Sequence, residues 1–423
     1  MLDIKLIREN PEFVKQRLAH KQFKQVELVD EISVLDAERR RLQQELDSVL
    51  NQSNQAAKAI GGLMKEGKKE EADMKKQEVA GLKVLEKTLK EQLTATEQKQ
   101  QDIAIQFPNL PAAMVPAGTS PDDNEIVREG GTKPVLPAEA LPHWDLIKKY
   151  DIIDFELGAK IAGSGFPLYK GKGAKLQRAL SSYFLDYNTA AGYVEFIPPY
   201  MVNTDSAYGT GQLPDKEGQM YHVTADEFYL IPTAEVPVTN VYRDVILKES
   251  DLPLKMTAFS QCFRREAGSF GANVRGLNRV HQFEKVEIIQ IVHPDKSHAI
   301  LDEMVTHVEG LVKSLELPYR ILRLCGGDMG FASAITYDFE VWSGAQQKWL
   351  EVSSVSNFES FQANRMKCRF KNEAGKTQVC HTLNGSSLAL PRIVAALLEN
   401  NQASEGIVIP EVLRPYFGGN IIN

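Results

Sequence analysis

The sequence predicts an α+β protein in which a long antiparallel helical arm precedes a domain built on an antiparallel sheet flanked by helices. Three features carry this expectation: a heptad-like apolar series interrupted by glycines before residue 106, and two strand–loop–strand patterns, at 259–292 and 336–358. A period near 3.5 specifies paired helices, whereas short β-branched and aromatic runs closed by glycines specify hairpins.

The helical series runs through Leu28, Ile32, Leu35, Arg39, Leu42, Leu46 and Val49, in steps of four and three, and resumes at Val79, Leu82, Leu85, Leu89 and Leu93. Gly61, Gly62 and Gly67 fall between the two runs and mark a turn, so residues 26–106 fold back as an antiparallel coiled coil projecting roughly 50 Å. Leu6, Phe13, Val14 and Leu18 form a short amphipathic start within the same 1–106 region. Around the turn Lys58, Lys65, Lys68, Lys69, Lys75 and Lys76 stand against Glu66, Glu70, Glu71 and Asp73, a slight excess of positive charge that reads as a solvated surface or as a nucleic-acid contact. Such an arm suits either a nucleic-acid backbone or dimerisation, and spacing does not separate the two. Residues 107–134, rich in Pro, Gly and Asp, read as a boundary before a domain at 135–423.

In that domain 176–187 has helical period, and GYVEFIPPYM (192–201) reads as an edge strand or subunit contact because its prolines cannot donate to a ladder. Thr233-Ala-Glu235 opens a helical segment after the strand FYLIP, and 299–315 is an amphipathic core helix. The hairpin at 259–292 holds Arg264, Arg265, Arg275 and Arg279 together with Glu266, Glu284 and Glu287, around a loop containing Gly268, Gly271 and Gly276. If Arg264 and Glu266 lie on a strand, they share a face, and a guanidinium beside a carboxylate suits a phosphate and a polar nucleobase or amine. The second hairpin places Glu351, Ser353 and Ser354 on its return strand, either as an exposed polar face or as oxygen donors for a magnesium ion. At the C-terminal end, Ser386 and Ser387 are candidate N-caps for a helix in which Pro391 fits the first turn. Arg392 opposes the positive end of that helix unless an anion binds there.

Composition narrows the function. With 49 basic and 56 acidic residues, the net charge of −7 leaves any polyanion to be met by local patches. Neither an apolar membrane-length run nor a secretory-type N-terminus is read from the sequence, and cytoplasmic residence is the expectation. The four cysteines lack zinc or disulfide spacing and are expected as free thiols. No P-loop, no GxGxxG after a strand and no GxSxG elbow is present.

The strand ending at Pro199, then FRREAGSFG, then NGSSLALPR resemble, in order, motifs 1, 2 and 3 of the class II aminoacyl-tRNA synthetases. With the helical arm, TAE and HQFEKVE, the resemblance narrows to the bacterial-type seryl-tRNA synthetase family over essentially the whole chain. It implies a homodimer that activates L-serine with ATP and Mg2+ and transfers it to tRNA(Ser), which the arm engages. It also implies roles by position. Thr233, Glu235, Arg264, Glu287, Asn384 and Ser386 would receive serine. Arg264, Glu266, Arg279, Phe283, Glu351, Ser354 and Arg392 would bind ATP, with Arg264 and Arg392 catalytic, Phe283 stacked on adenine opposite Arg392, and Glu351 and Ser354 holding the metal. Arg275 would lie near the tRNA acceptor end and Pro199 at the dimer contact. Arg265 stands where serine is frequent in the family, the 271–275 segment lacks a charged pair often found there, and SSLALPR replaces SGLAVGR. Two other classes stay open: a synthetase-like ligase charging a carrier protein, and a coiled-coil interaction protein that keeps the fold alone.

Overall fold

The computed structural model describes residues 1–267 and 275–423. It divides into two compact units, Met1–Ala19 with Phe23–Pro108, and His20–Gln22 with Asn109–Asn423.

In the first unit, helices α1 (Leu28–Lys65) and α2 (Lys69–Ala104) pair closely along their length, each spanning roughly 55 Å. Only Gly67 makes the turn, with φ +76, while Gly61 and Gly62 stay inside α1. Leu42, Leu46 and Val49 pack on Leu89 and Leu93 as the heptads predict. Nearer the start of α1 the seam differs from the sequence reading: Val29, Ile32 and Asp36 are buried, whereas Leu28, Leu35 and Arg39 are only half-buried. Asp36 is drawn inward by Arg8 of the helix Ile4–Glu9, at 3.0 Å, with Arg40 at 3.1 Å. Burial would raise its carboxyl, but these guanidiniums hold it below the ordinary range.

The second unit is built on an eight-stranded sheet. Its strands in chain order are β1 (Glu125–Gly130), β2 (Val194–Phe196), β3 (Leu254–Phe263), β4 (Gln282–Val292), β5 (Tyr319–Arg323), β6 (Ile335–Ser343), β7 (Lys348–Glu359) and β8 (His381–Ala389). They lie side by side as β1-β5-β6-β7-β8-β4-β3-β2. Every pairing is antiparallel except β2 with β3. Both expected hairpins form, β3 with β4 and β6 with β7, and the strand before the prolines is an edge strand. The 107–134 stretch is more than a boundary, because Glu125–Gly130 pairs with β5 as the opposite edge.

Strand alternation decides what each face does. Val286, Ile288 and Val292 of β4, with Phe339 and Val341 of β6, join a core made with helices α3 (Gly171–Ala190), α4 (Ser297–Ser314) and α5 (Leu390–Asn400). Phe283, Lys285 and Glu287 alternate with them and point the other way. The serines proposed as helix caps instead lie in β8, and α5 begins after Ala389 with Pro391 in its first turn. The ladder contacts of β8 with β4 and β7 outcompete capping there. All four cysteines are buried free thiols. Among the described residues no helix is long and apolar enough to cross a membrane.

Candidate active site

On the face opposite the helices lies a cavity of about 620 Å³. It is lined by Thr233, Glu235, Arg264, Glu266, Arg279, Phe283, Glu351, Ser354, Asn384, Ser386 and Arg392, drawn from five separated stretches of chain.

One end is buried and acidic. Thr233 donates to Glu287 at 2.7 Å, and its hydroxyl oxygen accepts the Glu235 amide at 3.2 Å, so the helix start at TAE is also a piece of the site. Glu287 is paired with Lys285 and approached by Ser386 at 3.4 Å, yet its Oε2 is buried without a hydrogen-bond partner. Such an orphan acceptor is costly unless a ligand donor meets it. Glu235 accepts from Gln362 at 2.6 Å, and Gln362 in turn accepts from Thr382 at 2.7 Å. Burial pushes Glu235 up to about 7; the Gln362 hydrogen bond works against that shift and the neighbouring Glu287 with it.

The other end is richer in exposed cations. Arg264 lies with its guanidinium 5.3 Å from the Phe283 ring centroid, and Arg279 is ion-paired with Glu266. The strand geometry expected for Arg264 and Glu266 is not what forms. β3 stops at Phe263, the Arg265 amide turns to the Gln219 carbonyl at 2.9 Å, and Glu266 adopts φ +49. Arg264, whose amide still donates to the His281 carbonyl at 2.9 Å, faces the cavity in step with Cys262 opposite Phe283, and Glu266 enters it after the chain leaves the ladder. Arg392, in the first turn of α5, donates to the carbonyls of Asn278 at 2.9 Å and Glu351 at 2.7 Å.

Glu351 and Ser354 are three residues apart and would face opposite ways on a regular strand. The register shifts between Phe339 and Glu340, so that Val352 is an extra residue on β7. This bulge turns both side chains to the cavity, with Ser354 donating to Glu351 at 3.4 Å. Asp338 is the ladder partner of Ser354. Its carboxyl is held well above the ordinary carboxylate range by burial and by Glu351, and its Oδ1 has no partner.

Residues 1–111 match the seryl-tRNA synthetase N-terminal domain, and residues 221–401 match the tRNA synthetase class II core domain (G, H, P, S and T). The serine–tRNA ligase of Salinibacter ruber is 49% identical over 420 residues, covering 99% of this chain and 98% of the relative. The chain belongs to the seryl-tRNA synthetase family.

It is thus a class II aminoacyl-tRNA synthetase, a serine–tRNA ligase. Two solved members extend the likeness. Seryl-tRNA synthetase from Pyrococcus horikoshii, complexed with ATP, superposes with TM-score 0.93 at 35% identity, covering 100% of this chain and 99% of that one. The cytoplasmic serine–tRNA ligase from Naegleria fowleri, in complex with AMP, gives 0.88 at 28%, with coverage of 100% and 99%.

Among the synthetase positions named from sequence, Glu287 lies just beneath the cavity wall and eleven others line it. Arg275 does not line it; its guanidinium sits 4.5 Å from the Trp144 ring. Pro199 lies between β2 and a short strand at Met201–Asn203, apart from the cavity. Gly268, Gly271 and the 271–274 part of the loop lie outside the described residues. Ser353 is spent elsewhere, donating to the Ser386 carbonyl at 2.6 Å, because successive residues of β7 point opposite ways and it is adjacent to Ser354. Sequence reasoning missed Lys285 and Gln362. Alternation from Phe283 to Glu287 could have found the lysine, whereas nothing local distinguishes the glutamine.

Proposed function

We propose that this cavity carries the family's serine activation in a defined orientation, amino acid at the Glu235–Glu287 end and ATP at the arginine end. The observation that carries the orientation is the buried, unpartnered Oε2 of Glu287 beside Glu235. Two buried carboxylates suit a small ligand bearing an ammonium, and Thr233, Asn384 and Ser386 supply polar contacts for its hydroxyl. At the other end Arg264 would bridge the serine carboxylate and the α-phosphate, with Glu266 on the adenine amine, Phe283 stacked beneath the base, and Arg279 and Arg392 on the outer phosphates. Arg279 must exchange its Glu266 partner for phosphate, which a half-exposed guanidinium does at small cost.

The serine carboxylate attacks the α-phosphorus, the bond to the β-phosphate oxygen breaks, and pyrophosphate leaves. A ribose hydroxyl at the tRNA 3′ end then attacks the carbonyl of the adenylate and releases AMP. No side chain forms a covalent bond. Arg264 and Arg392 act by orienting the phosphates and stabilising charge as it develops. Glu351, Ser354 and the free Asp338 oxygen form a hard-oxygen donor set that fits Mg2+, an ion that keeps water and phosphate oxygens as further ligands. When bound it would neutralise polyphosphate charge.

The arm, as residues 26–106 of a 1–106 domain, would receive tRNA(Ser). Its support is the match over 1–111 and the lysines near Gly67. The site-bearing domain would pair as a homodimer along the β2 edge near Pro199, where Val194, Ile197 and Met201 expose 61, 87 and 50% of their surface. Buried free thiols agree with a reducing cytoplasm. ATP–pyrophosphate exchange with each amino acid, followed by charging of total tRNA, tests the reading. Exchange with serine and transfer to tRNA is expected. Exchange without transfer would move the acceptor to a carrier protein, and no exchange would refute the site.

A further inference from the structure

Behind the cavity, on the helix side of the 276–278 turn, lies a polar cluster that takes no part in the assignments above. His143 and Glu399 are both fully buried, with Nδ1 of the histidine 2.8 Å from Oε1 of the glutamate. The Leu277 amide donates to the other imidazole nitrogen, Nε2, at 2.9 Å. An amide can only donate, so Nε2 is the acceptor and Nδ1 carries the proton given to Glu399. Glu399 lies near the C-terminal end of α5, where the helix dipole disfavours an anion. It is compensated by donors: the His143 amide at 3.0 Å, Ser343, the amides of Ala345 and Gln346 at 3.2 and 3.3 Å, and the Gln346 side chain at 2.9 Å. A carboxylate so surrounded is a fixed point.

The 3-10 turn Gly276–Asn278 rests on that point from two sides. Leu277 hangs from the imidazole, and Asn278 donates its side-chain amide to Gln346 at 2.9 Å. Gly276 has φ +65, and a Cβ there would fall on the His143 ring, so the close approach needs glycine twice over. The Asn278 carbonyl then accepts from Nε of Arg392 at 2.9 Å. Together with the Glu351 carbonyl this fixes the guanidinium plane and leaves its remaining donors for the cavity.

We propose that His143, held by Glu399, is a positioning residue for the nucleotide half of the reaction, acting through the Gly276–Asn278 turn to orient Arg392. The inference rests on Arg392 as a phosphate ligand. It predicts a separation that general destabilisation would not give. In His143→Gln the side-chain oxygen can reach the Nε2 position and still accept from Leu277. His143→Asn can keep the donor to Glu399 but has nothing at Nε2.

The test is steady-state pyrophosphate exchange and thermal melting on the full-length protein for both variants, with Arg392→Ala alongside. His143→Asn is expected to raise KM for ATP about tenfold with KM for serine unchanged, and His143→Gln to restore most of the loss. Equal behaviour of the two variants, or losses that fall on serine and ATP alike, would overturn the relay. Arg392→Ala separates the levels. If it raises KM for ATP while His143→Asn does not, the relay fails alone; if it leaves ATP use intact, the phosphate assignment beneath it fails.

Discussion

On the helical arm, Arg41 lies 2.6 Å from Glu38 and 2.5 Å from Glu45, with side chains 54, 42 and 46% exposed. In the cavity, Lys285 and Glu287 make a pair of the same kind at 9 and 0%. Water already solvates the arm's charges, so their pairing changes little. The cavity's charges have lost that water, and each depends on a specific partner or on a ligand still to come. Similar pairs therefore mark a solvated surface in one region and the proposed reaction site in the other. The arginine end lies between: Arg279 is about half exposed and its partner Glu266 mostly covered, which leaves the pair able to open for phosphate.

The largest effect should come from removing a charge whose hold on the substrates strengthens as the transition state forms. Arg264→Ala is expected to lower the exchange rate constant by about 10²–10³ while serine affinity changes far less. Rapid exchange measured beside serine titration checks it. An unchanged rate would remove Arg264 from the chemistry and place it with the arm's inert pairs.

Next is the buried acid. Glu235→Gln should weaken serine binding by about 10², read by calorimetry or KM, with KM for ATP nearly constant. The wild-type pH profile sharpens this. Because Glu235 is pushed up to about 7, it is largely protonated below that value and must release its proton to receive an ammonium. KM for serine should therefore rise as pH falls from 7, approaching about tenfold per unit, and the glutamine variant should lose this slope. The stability consequence has the opposite sign. With a folded value above the ordinary 4.5, Glu235 favours folding at low pH, and that contribution is lost as pH rises toward 7. Melting curves with and without serine should accordingly diverge as pH rises.

Legibility in the sequence follows the same division. The arm was readable because its period is local: Leu42, Leu46, Val49, Leu89 and Leu93 meet as spaced. The hairpins were readable for the same reason. Asp36 was not, since its inward turn answers Arg8, which is remote in sequence. In the cavity, Glu351 and Ser354 could be named from the family resemblance, but only the bulge at Val352 explains why residues three apart act together. Glu266 likewise reaches the cavity through a positive φ and not through strand alternation. Gln362 and His143 lay beyond reach, because a glutamine that holds an acid and a histidine that holds a turn have no spacing of their own. Their meaning is wholly tertiary.

The arm itself offers the finest discrimination. Asp36→Asn removes a buried carboxylate bonded to Arg8 and Arg40 and should destabilise the arm by about 2 kcal/mol. Its sign with pH is fixed by its depressed value: the contribution is full at neutral pH and fades as acid protonates the carboxyl, so wild type and variant should converge on acidification. Arg41→Ala breaks two ion pairs of shorter distance, yet both are exposed, and no measurable change in arm melting is expected. If thermal unfolding at low salt showed the Arg41 variant falling as far as the Asp36 variant, distance and not burial would govern these pairs. The separation between arm and cavity would then need another cause.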